Sequence, residues 1–306
     1  MTPDEYTNQE LMLEVGDGHT IYVHDWGLTT AKTPIVYFQG GPGGAVKDRA
    51  KSGFNPLKQR VIFFDQRGCG RSLPYRSLEN NTTPNLVADV QKILKHLKIT
   101  DVIFYGRSWG SALALAAAIQ NPSHVKALIL GSIFTASQWE INWIDKGHFA
   151  THYPEAWDKF LERTPKEHHK NPSAYHYKNI LQGDAHQLFH SALAVQDMEH
   201  SIMNLDDRPH PIDPETFDPT GARIFAHYFT NGCFMPDEHI LKNAPKLTMP
   251  VWLLHGRYDM DCPPVTAHKL NKALPNSKGL TWTISNHRAE HELDAVMRVI
   301  TRQFED

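Results

Sequence analysis

Short runs of apolar residues recur along the chain and alternate with amphipathic segments. Residues 11–15 and 19–26 alternate polar with apolar positions, and the Asp17-Gly18 pair between them predicts a β-hairpin. The later runs are apolar at consecutive positions, which is typical of parallel strands that helices cover on both faces. These six predicted strands are residues 35–38, 61–64, 102–105, 127–130, 251–254 and 280–284.

Helical patterns fill most of the intervals between the predicted strands. They combine an apolar stripe at helical spacing with alanine- and leucine-rich composition. The predicted helices are residues 85–97, 108–120, 265–274 and 289–304. A hairpin followed by alternating strands and helices predicts an α/β fold on an open, mostly parallel sheet.

One long segment breaks this alternation. Residues 135–247 contain amphipathic stretches rich in Trp, His, Tyr and Pro but no strong strand pattern, and the segment begins after one predicted strand and ends before the next. This arrangement predicts a helical cap inserted into a sheet domain. We therefore expect a core formed by residues 1–134 and 248–306, with residues 135–247 as a cap that controls access and specificity.

Composition and charge narrow the function classes. The chain of 306 residues has 31 basic and 34 acidic residues, a net charge of −3 that gives no electrostatic reason to expect nucleic acid or a membrane surface as partner. With 41% hydrophobic residues the chain is not disordered, and no apolar run is long enough to span a bilayer. The three cysteines suit neither a disulfide framework nor a zinc site, and the N-terminus does not resemble a signal peptide. These features predict a soluble cytoplasmic protein of undetermined oligomeric state.

A candidate nucleophile lies at the junction of a predicted strand and a predicted helix. Residues 106–110 read Gly-Arg-Ser-Trp-Gly and fit the G-x-S-x-G pattern, with strand 102–105 before them and helix 108–120 after. A nucleophile elbow requires this strand–turn–helix context, because the serine hydroxyl must be exposed at the start of the helix. The pattern predicts Ser108 as a nucleophile.

A nucleophilic serine needs a general base and a group that orients the base. Asp259 follows the predicted strand 251–254 and His287 follows 280–284, in the chain order expected for this kind of hydrolase. Position after a strand therefore selects Asp259 and His287. Asp261 and His291 are the rival residues nearby.

The oxyanion of an acyl-transfer reaction needs backbone N–H donors that are fixed before reaction. We expect one from Trp109, which follows the nucleophile, and one from Gly41 in the glycine-rich loop 39–44. Glycines there allow the backbone to approach a substrate. The loop lacks the Gly-Lys-Ser/Thr of a phosphate-binding loop and the G-x-G-x-x-G of a dinucleotide fold.

At this point the chain resembles the prolyl aminopeptidases (proline iminopeptidases) of the α/β-hydrolase superfamily over residues 34–304. The most specific match is the octapeptide DQRGCGRS at 65–72. Further matches are residues 40–43, 106–111, 256–259, 262–263, Trp143, Pro154, Trp157, 222–224, 227–229 and Asn231. The resemblance implies an eight-stranded α/β-hydrolase fold with a helical cap, and release of N-terminal proline from short peptides. It also implies Ser108, Asp259 and His287 as the triad, without metal or cofactor.

The sequence departs from the family pattern at several positions. The family usually has His at position 39, and Gly at positions 107 and 286, where this chain has Gln, Arg and Asn. In the cap, Phe225 stands where the family has a glutamate that helps bind the substrate's amino group. Asp197 and Glu199 are the candidates for a second family glutamate, so Asp197, Glu199 and Phe225 are the expected substrate-binding residues. A buried ammonium without a carboxylate is costly, so Phe225 favours a neutral, apolar group.

Three functions follow in order of preference. The first is an aminopeptidase that acts on short peptides with N-terminal proline. The second keeps the same machinery but acts as an esterase or amidase on a small neutral acyl compound, and the third is a non-catalytic binding protein. Because neutral imidazole must act as the base, we expect kcat/KM to rise through a pKa of roughly 6 to 7.

Overall fold

A single mixed sheet forms the centre of the molecule. The computed structural model describes residues 5–205, 212, 217–288 and 290–305, with residues 290 and 291 described by their backbone only. The described residues form eight strands in the order β1-β2-β4-β3-β5-β6-β7-β8. Their bounds are β1 Tyr6–Gly16, β2 His19–Leu28, β3 Ile35–Phe38, β4 Arg60–Phe64, β5 Val102–Ser108, β6 Val125–Ile133, β7 Val251–Gly256 and β8 Ser277–Thr283.

The first two strands form the predicted hairpin, and the rest of the sheet is parallel. β2 pairs antiparallel with β1 and with β4, and each remaining neighbouring pair is parallel. Gly16, Asp17 and Gly18 all have positive φ in the hairpin turn, a conformation that glycine adopts without strain. The expected open, mostly parallel sheet is confirmed.

Helices cover both faces of the sheet. Their bounds are α1 Thr83–His96, α2 Trp109–Gln120, α3 Gln138–Asp145, α4 Pro154–Glu162, α5 Pro172–Gln182, α6 Ala185–Ile202, α7 Gly221–Thr230, α8 His239–Asn243, α9 Pro264–Ala273 and α10 Glu290–Thr301. Successive side chains of a strand point to opposite faces. In β5, Val102 and Phe104 belong to the core under α1, α2 and α9, whereas Ile103 and Tyr105 belong to the core under α10. This double burial explains the continuous apolar runs.

Among the described residues between β6 and β7 lie helices α3 to α8, which are called the helical insertion below. No strand occurs among the described residues of this segment. Aromatic side chains hold it to the sheet domain: the Tyr228 hydroxyl donates to Asn81 Oδ1 at 2.9 Å, and the Trp143 indole donates to the Met260 carbonyl at 2.8 Å. The second contact brings α3 to the loop that follows β7.

Candidate active site

The turn from β5 into α2 presents Ser108. The strand ends at this residue and the helix begins at Trp109, so no loop separates them. Ser108 has φ 57° and ψ −133°, a strained conformation for a residue other than glycine. The flanking glycines allow the turn: a Cβ on Gly106 would lie 2.3 Å from the Gly110 carbonyl oxygen, and one on Gly110 would lie 2.1 Å from that of Phe38.

Ser108, His287 and Asp259 form a continuous hydrogen-bonded array. The Ser108 Oγ atom lies 3.0 Å from His287 Nε2, and His287 Nδ1 lies 2.9 Å from Asp259 Oδ2. The Asp259 carboxylate is fully buried, and the His287 side chain is 9% exposed. The loops after β7 and β8 carry these two residues because parallel strands bring their carboxyl ends to one edge of the sheet. The side chain of the rival His291 is outside the described part of the chain.

Further hydrogen bonds fix the Asp259 carboxylate. Its Oδ1 atom accepts backbone N–H bonds from Asp261 at 3.1 Å and Cys262 at 2.8 Å.

Buried His255 supports the same loop, since its Nδ1 accepts from the Ile133 N–H at 2.9 Å. That bond places the ring proton on Nε2, which donates to the Cys262 carbonyl at 2.8 Å. Burial lowers the pKa of His255, so the ring remains neutral. His255 lies in β7 directly before the Gly256–Asp259 motif, but no pattern in the sequence marks it as a supporting residue of the site.

The electrostatic environment of His287 favours its charged form. Burial lowers the pKa of His287, but the carboxylates of Asp259 and Asp261 more than offset this effect and raise it to about 9. Burial raises the pKa of Asp259, but the charge and hydrogen bond of His287, together with His255 and the Cys262 N–H, lower it below its ordinary value. The ordinary histidine pKa that we expected from the sequence is therefore wrong for the substrate-free protein. Asp261, a rival in the sequence, contacts the same ring, with Oδ2 3.4 Å from His287 Nε2.

The segments expected to donate to the oxyanion lie beside Ser108. A Cβ on Gly40 would be 3.6 Å from that of Ser108, and Gly41 has a φ of +133° that favours glycine. Trp109 begins α2, so its backbone N–H has no acceptor within the helix. Gln66 connects both segments: its Nε2 donates to the Gln39 carbonyl at 2.8 Å, and its Oε1 accepts from Trp109 Nε1 at 2.9 Å.

The octapeptide 65–72 has a structural role that its use as a family marker did not reveal. The Asp65 carboxylate accepts from the Val46 N–H at 2.8 Å and the Arg71 N–H at 3.0 Å, which ties this loop to the glycine-rich one. Arg67 is fully buried and forms two hydrogen bonds with the Asp89 carboxylate, at 2.6 and 2.8 Å. The octapeptide thus fixes the loop that faces the nucleophile.

The structure separates the two acidic candidates for substrate binding. Asp197 forms ion pairs with Arg163 at 2.6 Å and Lys159 at 3.8 Å, so its carboxylate is already neutralised by cations of α4 and its C-terminal end. The Glu199 carboxyl group instead interacts electrostatically with Asp261 and His287. Burial and the charge of Asp261 raise the pKa of Glu199, while the positive charge of His287 opposes the rise. Of the two candidates, Glu199 interacts electrostatically with Asp261 and His287, whereas Asp197 pairs with Arg163 and Lys159.

Phe225 belongs to an aromatic wall on the helical insertion. Its ring stacks on Phe229 with centroids 4.1 Å apart and contacts Tyr177 edge-on at 6.1 Å. Phe229 in turn stacks on Phe134 at 6.2 Å. Burial and Asp145 are the main causes that raise the pKa of Tyr177, and the charge of Glu199 adds to their effect. The region therefore combines an apolar aromatic surface with acidic groups that include Asp261 and Glu199.

One set of described residues could offer ligands to a metal ion. Candidate ligand atoms of Asp261, Cys262 and His287 all lie within 4.8 Å of one another. Burial raises the pKa of the Cys262 thiol well above its ordinary value, and metals bind the thiolate. His287 Nε2 already contacts Ser108. Its Nδ1 contacts Asp259, so both ring nitrogens are already engaged and this set lacks the free imidazole that a resident metal would need.

Comparison with known proteins identifies the family. The sequence profile of the α/β hydrolase fold matches residues 33–287. The proline iminopeptidase of Xylella fastidiosa (strain Temecula1) is 36% identical over 277 residues, which cover 87% of this chain and 86% of that protein. The enzyme of the same name from Xanthomonas citri is 34% identical over 97% of this chain and 96% of its own length. The chain belongs to the proline iminopeptidase family of α/β hydrolases. It is therefore a hydrolase.

Solved structures confirm the fold of this family member. An esterase from Exiguobacterium antarcticum has a TM-score of 0.65 and 19% identity over 97% of this chain and 99% of that one. The proline iminopeptidase of Mycobacterium smegmatis has a TM-score of 0.62 and 19% identity over 97% and 98% of the two chains. At such identities the similarity establishes the α/β-hydrolase fold alone. In the described ranges, no helix has the length and apolar character required to cross a membrane.

One departure from the family pattern has a clear structural role. Arg107, which stands where the proline iminopeptidases usually have glycine, reaches from the elbow to the loop that carries His287. It donates to Asp294 Oδ1 at 2.7 Å and to the carbonyls of His287 and Arg288 at 3.5 and 3.3 Å. The Ser132 hydroxyl donates to the same His287 carbonyl at 3.2 Å. These bonds couple the position of the histidine to β5, β6 and α10.

Proposed function

We propose that the protein is a serine aminopeptidase that releases N-terminal proline from short peptides. The observation that carries the proposal is that Glu199 and the Ser108–His287–Asp259 array lie within electrostatic range of each other. An N-terminal residue presents an ammonium group one carbon away from its carbonyl carbon. A carboxylate within electrostatic range of the nucleophile is suited to pair with that ammonium, and an ion pair in a buried site is strengthened by low local dielectric.

The proposed reaction follows the geometry of the array. Ser108 Oγ attacks the carbonyl carbon of the N-terminal residue while His287 Nε2 takes its proton, and Asp259 orients and stabilises the imidazolium. The N–H groups of Gly41 and Trp109 hold the oxyanion. His287 then gives the proton to the leaving amine, and the C–N bond breaks. Water attacks the acyl-enzyme with His287 again as base, which releases the amino acid and restores Ser108.

The helical insertion supplies the proposed specificity. We assign residues 135–247 as a cap that admits short peptides, since α3 contacts the loop after β7 through Trp143 and α6 supplies Glu199. The aromatic wall of Phe225, Phe229 and Tyr177 offers an apolar surface that suits a pyrrolidine ring. Tyr177 keeps its orientation by donating to Asp145 Oδ1 at 2.8 Å.

The test compares two substrates on wild-type protein and on one variant. Proline p-nitroanilide and p-nitrophenyl acetate are compared with wild-type protein and Ser108→Ala, and a fluorophosphonate probe labels the nucleophile. We expect wild type to cleave the anilide and take up the probe, and Ser108→Ala to lose both. Loss of labelling without loss of turnover would contradict the proposed nucleophile.

A second candidate function rests on Phe225. An aromatic side chain replaces a family glutamate in the amine-binding region, and this favours an esterase or amidase for a small neutral acyl group. Serine-dependent hydrolysis of p-nitrophenyl acetate with no release of proline from the anilide would select this function. In that case the wall of Phe225 and Phe229 would bind the acyl group itself.

A further inference from the structure

Asp261 contacts the catalytic histidine at the atom that performs proton transfer. Its Oδ2 lies 3.4 Å from His287 Nε2, the nitrogen that is 3.0 Å from Ser108 Oγ. The other ring nitrogen, Nδ1, lies 2.9 Å from Asp259 Oδ2. A carboxylate at Nδ1 orients a general base, but a carboxylate at Nε2 competes with the serine for the same position and stabilises a proton there.

The titratable and charged groups around the His287 ring come from five segments of the described chain. On the loop after β7, Asp261 is 13% exposed and neighbours the buried Asp259 and Cys262. His255 at the end of β7 is neutral, and Arg107 on β5 lowers the pKa of His287 slightly in comparison with the two aspartates. The remaining two groups, Glu199 on α6 and Arg288 after β8, interact with Asp261 and each other.

We propose that Asp261 is a specificity-determining residue that keeps the catalytic base protonated until a substrate with a positive charge binds. The inference rests on the proposed aminopeptidase function and adds a role for Asp261 that is distinct from binding by Glu199. In the substrate-free protein, an Nε2–H faces Asp261. The ammonium of an N-terminal residue takes its place against Asp261, the Nε2 proton passes to water, and neutral Nε2 can then accept the proton of Ser108 Oγ.

Two observations support this role. The pKa of His287 is raised to about 9, so at neutral pH the ring of the free protein holds a proton that blocks its action as a base. Because the loop places Asp261 beside Nε2 instead of Nδ1, this carboxylate adds nothing to the orientation that Asp259 already provides. A carboxylate beside Nε2 stabilises a proton there, and a cation that takes the place of this proton against Asp261 removes that effect.

The experiment compares a neutral and a cationic substrate across pH. The variants are Asp261→Asn, which removes the charge at nearly constant shape, and Asp261→Glu, which keeps it. For p-nitrophenyl acetate, which has no amine, the acid limb of kcat/KM should move to lower pH by ~1 unit in Asp261→Asn, because one neighbouring carboxylate shifts a pKa by about that much. Turnover of the ester below neutral pH should therefore rise ~10-fold. The KM of proline p-nitroanilide should rise ~10-fold, as expected when a charged hydrogen bond is lost.

Three results would overturn the proposal. They are an unmoved acid limb for the ester in Asp261→Asn, an equal loss on both substrates, or an Asp261→Glu profile that matches Asn instead of wild type. If wild type releases no proline at all, the proposed function fails, but the ester profile still decides the effect of Asp261 on the base. Circular dichroism of each variant separates these results from misfolding.

A measurement on wild-type protein avoids substitution altogether. Pyrrolidinium chloride supplies the cationic part of the substrate without its acyl group. We expect it to accelerate ester hydrolysis near pH 6.5 several-fold, with sodium chloride at equal ionic strength as the control. No acceleration, or the same acceleration by sodium chloride, would contradict a base that is released by an organic cation.

Discussion

Glu199 and Asp197 lie two positions apart on α6, yet their environments differ. Asp197 pairs with Arg163 at 2.6 Å, and Glu199 interacts with Asp261 and His287. We predict that Glu199→Gln raises the KM of proline p-nitroanilide ~10-fold or more, because a charged hydrogen bond to the substrate ammonium is lost. Steady-state kinetics measure the change, with p-nitrophenyl acetate as the uncharged reference.

The matched control is Asp197→Asn, which removes one carboxylate from the same helix. Its partners Arg163 and Lys159 have side chains that are 34% and 56% exposed, so the ion pairs contribute little to stability. We expect its KM to remain that of wild type. Equal effects of the two variants would mean that α6 acts through general electrostatics and not through contact with the substrate.

The contrast shows what a single sequence reveals about a site. The candidates Ser108, Asp259 and His287 could be located because each follows an apolar strand, and parallel strands bring their ends to one edge. The choice between Asp197 and Glu199 depends on how α6 is rotated against the sheet, which no local pattern determines. The raised pKa of His287 was also inaccessible, because it results from opposed effects of burial and two carboxylates.

At the scale of elements, the β5–α2 junction depends on two backbone contacts that no side chain can tolerate. A Cβ on Gly110 would lie 2.1 Å from the carbonyl oxygen of Phe38, at the end of β3. We predict that Gly110→Ala has a kcat ~100-fold below that of wild type, because a displacement of about 1 Å at a catalytic group such as Ser108 has an effect of this size. Kinetics together with fluorophosphonate labelling check the loss.

Gly53 provides the control for this substitution. A Cβ at that position meets nothing within 4 Å and Gly53 has no positive φ, so Gly53→Ala should keep wild-type kinetics. A fully active Gly110→Ala would show that β3 can shift without disturbing Ser108.

The G-x-S-x-G pattern predicts this junction, but the apolar run stops at Tyr105 and so predicts a strand that ends there. Pairing with β6 continues to Ser108 because backbone hydrogen bonds do not require apolar side chains.

At the scale of the whole molecule, buried Arg67 connects the N-terminal hairpin, the octapeptide loop and α1. Besides Asp89, its guanidinium contacts Asp17 at 3.2 Å in the hairpin turn and the Asn80 carbonyl at 2.8 Å. The resemblance to the family identifies the octapeptide but does not reveal the partner of Arg67, because Asp89 lies 22 residues away in sequence. Asp89 is buried on the inner side of α1, where an acidic residue is stable only when paired.

Removing this partner should cost far more stability than removing an exposed one. We predict that Asp89→Asn lowers the free energy of unfolding by ~3–5 kcal/mol, since the buried guanidinium loses its compensating charge. The control is Asp101→Asn, whose partner Lys126 lies at 3.1 Å with both side chains about half exposed; it should cost less than ~1 kcal/mol. Urea unfolding followed by tryptophan fluorescence measures both values. Similar losses for the two variants would mean that Asp17 and the Asn80 carbonyl alone can satisfy Arg67, and that α1 does not depend on the pair for its place against the octapeptide loop.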